Sequence, residues 1–284
     1  MLIGYNTNGF AHHDPLLAVE LLAELGYRSV AITIDHGVLN PYAPDVADQS
    51  AKMRTCLENR SLRSVIETGA RFLLDPRHKH EPTLMSADAR ARERRVDFLC
   101  RAADMAADLG SDCVSLWSGT LREPLDDEAA LERLAEGLDR VLAYARPRGV
   151  TVAFEPEPGM FVESMRHYER LLQCVDGENL RLTLDLGHLH CMGEVPIADF
   201  IRRWRSRIAN IHIEDMRAGA HEHLMFGEGE IDFPPIIEAL SEVGYQGGLH
   251  VELSRHSHEA PHAARRAYAY LQPLIEAAAP PQCG

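Results

Sequence analysis

Short runs in which apolar and polar residues alternate take turns, from one end of the chain to the other, with longer stretches of helical spacing. Leu2–Asn6 opens the series as a strand. In Pro15–Leu25 the residues Leu16, Leu17, Val19, Leu21, Leu22 and Leu25 form an apolar face, and Gly26 supplies a stop. Ser29–Asp35 reads as the second strand, a loop with Pro41 and Pro44 leads to a helix ending near Asn59, and Leu62–Glu67 is the third strand. A polar insertion, Asp75–Ser86, precedes a long helix from about Ala87 to Leu109. Asp112–Trp117 is the fourth strand, and Asp126 or Asp127 caps a helix running to about Ala145. Val150–Glu155, Leu180–Asp185, Ile208–His212 and Gly248–Glu252 are strands five to eight. Helices follow them near Ser164–Val175, Ile197–Trp204, Pro234–Val243 and Ala263–Ala277, before a Pro-rich tail.

Eight strands alternating with eight helices predict an α/β fold, a (β/α)8 TIM barrel formed as a single domain over residues 1–284. The competing architecture is an open doubly wound sheet. Its glycine-rich first turn is missing, because Gly4-Tyr5-Asn6-Thr7-Asn8-Gly9 does not fit G-x-G-x-x-G. At 284 residues and 45% hydrophobic, the chain has enough apolar material for one large core.

Charge narrows the partners. With 29 Lys+Arg against 43 Asp+Glu, the formal charge of −14 disfavours a nucleic acid unless positive charge is gathered at one place. The first residues, Met-Leu-Ile-Gly-Tyr-Asn, lack a basic region followed by an apolar one, and no stretch reaches about 18 apolar residues. A cytoplasmic protein without a membrane span is therefore expected. The 6 cysteines, Cys56, Cys100, Cys113, Cys174, Cys191 and Cys283, contain no C-x-x-C pair and read as reduced packing thiols.

The parallel strands of a barrel all end on one rim, where active sites of this fold are built. That rim receives Asn6, Asp35 with His36, Glu67, Trp117 with Ser118, Glu155, Asp185 with His188, His212 with Glu214 and Asp215, and Glu252. Unpaired buried charges of this density cost several kcal/mol each, a cost that a bound cation removes in large part. Glu155, Asp185, His212 and Glu252 end four consecutive strands, and three carboxylates with one imidazole suit Mn²⁺, Mg²⁺, Co²⁺ or Zn²⁺. A single strand-end carboxylate can equally be a helix cap or an ion-pair partner.

Glu155 after Thr-Val-Ala-Phe, Asp185-Leu-Gly-His188, His212-Ile-Glu-Asp, Phe226-Gly-Glu-Gly-Glu-Ile-Asp-Phe233 and His250-Val-Glu252 resemble the xylose isomerase-like TIM barrels. These are the sugar-phosphate isomerases and epimerases that share a fold with endonuclease IV. The resemblance is specific over Val150–Glu252 and architectural before it. By analogy with the ketose 3-epimerases of the group, it implies that Glu155, Asp185, His212 and Glu252 bind one divalent ion, Mn²⁺ first among the candidates. It also implies that Glu155 and Glu252 exchange protons with substrate, and that His188 and an arginine shortly after the seventh strand hold substrate oxygens. Arg217 is the nearest match to that arginine, at a slightly different spacing, and Glu157 and Glu163 compete for a further substrate-binding glutamate. Relatives often form dimers or tetramers, so a homo-oligomer is a further expectation.

Other segments bear on substrate. Asn6-Thr7-Asn8 and His12-His13 offer amides, a hydroxyl and imidazoles to a polyol, or simply make a polar loop. The locally basic insertion can bring Lys79 onto substrate as a lid, or remain a solvated loop. Trp117 can stack on a sugar ring or pack over the barrel mouth. His221-Glu222-His223 ahead of Gly227-Glu228-Gly229 is similar to a zinc-binding segment of endonuclease IV. Extra residues alter its spacing, and the fourth strand ends without a histidine, so a trinuclear site is disfavoured and His223 is expected to reach substrate instead.

The chemistry expected is proton abstraction next to a metal-bound carbonyl of a sugar or keto-polyol, giving isomerisation or epimerisation. Loss of a β-hydroxyl from the same site would make the protein a dehydratase of keto-inositol type. An endonuclease IV-like phosphodiesterase is the remaining enzyme reading.

Overall fold

The computed structural model describes residues 1–175 and 178–278; Cys283 and the Pro-rich tail lie outside the described residues. Eight parallel strands close into a barrel: β1 (Leu2–Asn6), β2 (Ser29–Thr33), β3 (Arg63–Glu67), β4 (Val114–Leu116), β5 (Val152–Phe154), β6 (Leu180–Asp185), β7 (Ile208–Ile213) and β10 (Gly248–Val251). β1 pairs with both β2 and β10, which closes the ring. The helices between them are α1 (Pro15–Leu25), α2 (Val46–Arg60), α3 (Ala89–Leu109), α4 (Asp127–Ala145), α5 (Met165–Leu171), α6 (Leu186–Cys191), α7 (Ile197–Trp204), α8 (Pro234–Glu242) and α9 (Ala260–Ala277). None of them is long and apolar enough to cross a membrane.

Short side-chain caps set several helix starts. Asp14 accepts the amides of Leu16 and Leu17, Asp88 that of Arg90, and Asp126 that of Ala129, so Asp126 and not Asp127 caps α4. Gly26 and Gly110 end α1 and α3 with positive φ.

Strand alternation sorts the side chains. In β6, Leu180, Leu182 and Leu184 join the large core between barrel and helices. Thr183 and Asp185 point the other way, and Thr183 Oγ1 reaches Ser115 Oγ at 2.9 Å across the lumen. Small side chains, Ala31, Val65, Cys113 and Ala153, fill the barrel interior. The buried imidazole of His250 shares the lumen, bonded to Ser29 and Asn210. It fits because Gly4 and Gly248 flank it, and a Cβ at either would come within 2.5 Å of the ring.

Two departures from the expected elements matter. β2 stops at Thr33, not Asp35, because its ladder with β3 ends at Thr33 opposite Glu67 and the chain then folds on itself, Asp35 and Val38 exchanging backbone bonds of 3.0 and 3.1 Å. A hairpin, β8 (Asp215–Arg217) and β9 (Ala220–Leu224), stands between β7 and α8. Its sequence, Ala-His-Glu-His-Leu, carries no apolar alternation to announce a strand, and Gly219, with φ of 70°, makes the turn.

Candidate metal centre and its cavity

The register of the sheet brings the expected ligands to one height, since Asp185 of β6 is directly paired with His212 of β7, and His250 of β10 with His212 on the other side. His212 Nδ1 lies 3.0 Å from Glu155 Oε1, 3.0 Å from Glu252 Oε2 and 3.7 Å from Asp185 Oδ2. One ligand atom from each of the four residues lies within 4.8 Å of all the others, which is the arrangement a single cation needs. Asp185 Oδ1 accepts the His188 amide at 2.7 Å, while its buried Oδ2 has no hydrogen-bond partner among the described residues. A buried carboxylate oxygen left unpaired is costly, and a cation among these donors would satisfy it. The residues present therefore fit a divalent ion.

The next layer of groups orients the first. Glu67 Oε1 accepts from His212 Nε2 at 2.9 Å and from Asn210 Nδ2 at 3.0 Å, leaving His212 Nδ1 as the lone-pair side that faces the carboxylates. Asn210 Oδ1 then faces His250 Nδ1 at 2.7 Å, and His250 Nε2 faces Ser29 Oγ at 2.8 Å. Asn8 Nδ2 donates to Glu252 Oε1 at 2.8 Å, and Asn6 Nδ2 to Glu252 Oε2 at 3.5 Å.

Electrostatics match this geometry. Burial disfavours the His212 imidazolium, but Glu155, Glu67 and Glu252 outweigh it and raise its pKa well above the ordinary value, so that a proton can occupy the charge deficit a cation would fill. Burial raises the Glu155 carboxyl well above its usual range. For Glu252 burial acts in the same sense, yet His212 prevails and holds it low. Burial pushes His188 down to about 4, which keeps it neutral, and Glu157 up to about 7.

A cavity of about 410 Å³ opens over the cluster. Glu155, His212, Glu252, Asn6, His188, His223 and Lys79 all line it. His12 does not: it is exposed in the turn after β1. Arg217 does not either, being exposed on the hairpin, where it donates to the Glu228 carbonyl at 2.9 Å and lies 3.8 Å from Glu222. The arginines of the lining are Arg71 and Arg255. Of the two competing glutamates, Glu157 lines the cavity. Trp117 lines the cavity while its ring packs against His80 and the buried guanidinium of Arg95.

Sequence reasoning passed over Glu67 as more than a rim residue, and missed Asn8 as a holder of Glu252 and both lining arginines. The rim rule had the means to find Arg71 and Arg255, each of which follows a strand end by four residues. His221 had no such signal, because the hairpin alone brings it to the cavity. His188 Nε2 lies 3.1 Å from His221 Nε2, and these two rings with His223 form a second group of nitrogens within 4.8 Å of one another. Behind His223 stands Glu214, fully buried, its carboxylate without a hydrogen bond among the described residues but with Oε1 3.8 Å from His223 Nδ1, and its pKa pushed up to about 8 by burial.

Comparison with known proteins follows the same lines. An inosose dehydratase of Lacticaseibacillus casei is 36% identical over 144 residues, 45% of this chain and 47% of that protein, so the match spans about half the relative's length. The crystal structure of a D-tagatose 3-epimerase-like protein has a TM-score of 0.81 at 20% identity, with 98% of each chain covered. That of the IolI protein with a binding zinc atom has a TM-score of 0.77 at 18% identity, covering 98% of this chain and 99% of the other. At such identities the structural likeness is one of fold. Residues 19–274 match the family described as xylose isomerase-like TIM barrel, and the chain belongs to that family.

Proposed function

We propose that this protein is a divalent-metal-dependent isomerase or epimerase of a sugar or related keto-polyol. The observation that carries the reading is the convergence of Glu155, Asp185 and Glu252 on His212 Nδ1, with Asp185 Oδ2 unpartnered, at the floor of a polar cavity. When bound, the ion supplies electrophilic polarisation of a substrate carbonyl and acidifies the neighbouring carbon. Mn²⁺ is the first candidate, with Mg²⁺, Co²⁺ and Zn²⁺ as alternatives.

The rest falls to the chain. Glu155 and Glu252 enter from strands separated by β6 and β7, so a substrate carbon between them meets a carboxylate on each side. One carboxylate removes the carbon-bound proton and the other returns one, which inverts the centre; transfer to the adjacent carbon isomerises instead. Asn6 and Asn8 hold Glu252 in place through its two oxygens. His188, neutral at physiological pH, together with His223, Lys79, Arg71 and Arg255, offers contacts to substrate oxygens. The roles expected of His12 and Arg217 would require contact from outside the lining.

Glu155→Gln and Glu252→Gln should each abolish incorporation of solvent deuterium at the substrate carbon in folded protein, measured by mass spectrometry alongside metal content. Normal incorporation by both variants would sink the mechanism. The dehydratase reading keeps the same base and is favoured by one observation, the 36% identity to an inosose dehydratase. Product mass separates the two, because isomerisation conserves it and dehydration loses one water.

A further inference from the structure

Beside the cavity over the metal ligands lies a second one of about 320 Å³, and the two share Asn8, Thr33 and Arg71 in their linings. It occupies the cleft between the first two strand-helix units, on the same face of the barrel. Its floor is apolar, made by the buried side chains of Phe10, Val19, Ile32 and Met53. Its edge is polar, with His13, His36 and Asp35.

Asn8 stands at the junction. Its Nδ2 is committed to Glu252 Oε1, which turns its Oδ1 away from that carboxylate, and this Oδ1 is buried without a hydrogen-bond partner among the described residues. Arg71, in the same shared wall, offers guanidinium donors to a molecule that spans the two chambers. Each cavity alone falls within the range of about 300–1,000 Å³ typical of small-ligand sites, so one small sugar over the metal ligands leaves the second chamber open. An apolar floor with a polar edge matches a pyranose ring, which has C–H faces and a hydroxyl rim.

We propose that the substrate is a sugar carrying a second, glycosidically linked ring, with the reacting ring over Glu155 and Glu252 and the appended ring in the cleft between β1–α1 and β2–α2. The linkage passes Asn8, Thr33 and Arg71, the residues common to both linings. This rests on the proposed function for the orientation of the two rings, but its test is binding and does not need turnover.

The probes are D-fructose and its glucosylated forms turanose, maltulose and isomaltulose, titrated calorimetrically into the metal-loaded protein. At least one disaccharide should bind about tenfold or more tightly than D-fructose. Gly37 lines the second chamber, has an ordinary backbone conformation, and has no atom within 4 Å of a Cβ placed on it. In Gly37→Phe, and in Ala11→Trp at the same wall, the ratio of the two affinities should fall to about one. No disaccharide advantage in the wild type, or an advantage that survives both substitutions, overturns the proposal. Deuterium exchange in whichever sugar binds reports separately on the catalytic reading: a disaccharide advantage without exchange supports the second chamber and counts against Glu155 and Glu252 as proton carriers.

Discussion

At the scale of single residues, the centre is decided by which atom each side chain has left over. Asp185 spends Oδ1 on the His188 amide and keeps Oδ2 free; His212 spends Nε2 on Glu67 and keeps Nδ1. Glu67→Gln should therefore weaken metal binding about 10- to 100-fold without removing a ligand, read by competition with a fluorescent chelator. Unchanged affinity would mean that Glu67 merely fills space. Asp185→Asn should lower the metal content of purified protein, whereas His188→Ala should mainly lower sugar affinity. If His188→Ala strips the metal as well, His188 is closer to the ion than its neutral, substrate-facing assignment allows. Asp185 was legible in the sequence because it ends an alternating run; Glu67's service to His212 was not, since they are 145 residues apart.

Elements explain what the residues alone do not. β8 and β9 bring His221 and His223 to the cavity, and Asp215 anchors the return of the chain by accepting the amides of Met216, Gly227, Gly229 and Ile231 at 2.8–3.1 Å. A buried carboxylate with four amide donors is a strong local organiser. Asp215→Ala should cost on the order of 3 kcal/mol in unfolding free energy. It should also speed hydrogen exchange at Gly227, Gly229 and Ile231 before the barrel strands are affected. Uniform acceleration across the barrel would show that the anchor belongs to the global fold and not to the hairpin. The sequence carries no sign of this anchor, because hydrogen bonds donated by four separate amides to one carboxylate leave no periodic trace.

For the whole molecule, the barrel lumen sets the response to pH. Burial, with help from His212, holds the His250 imidazole down to about 3, against 6.5 for an exposed histidine. A depressed value means that the unfolded chain binds the proton more readily. His250 thus contributes stability above about pH 6.5 and loses it as pH falls toward 3, a swing on the order of 5 kcal/mol. The difference in urea midpoint between the wild type and His250→Asn should shrink as pH is lowered from 7 to 4; a constant difference would remove His250 from the acid response.

The sequence by itself determined the order of strands and helices, the parallel barrel and the four strand-end residues that converge on one rim. Each of these follows from local periodicity combined with one rule, that all strands of a barrel end on the same face. Boundaries were less secure. β2 ends where its partner's ladder ends, and α4 starts at whichever aspartate reaches an amide. Tertiary structure alone decided that Arg71 and Arg255 face the cavity while Arg217 and His12 stay outside, that Glu67 orients His212, and that Asn8 joins two chambers. Those outcomes depend on distances between residues far apart in the chain, and alternation tells which side of a strand a residue occupies but not what it meets there.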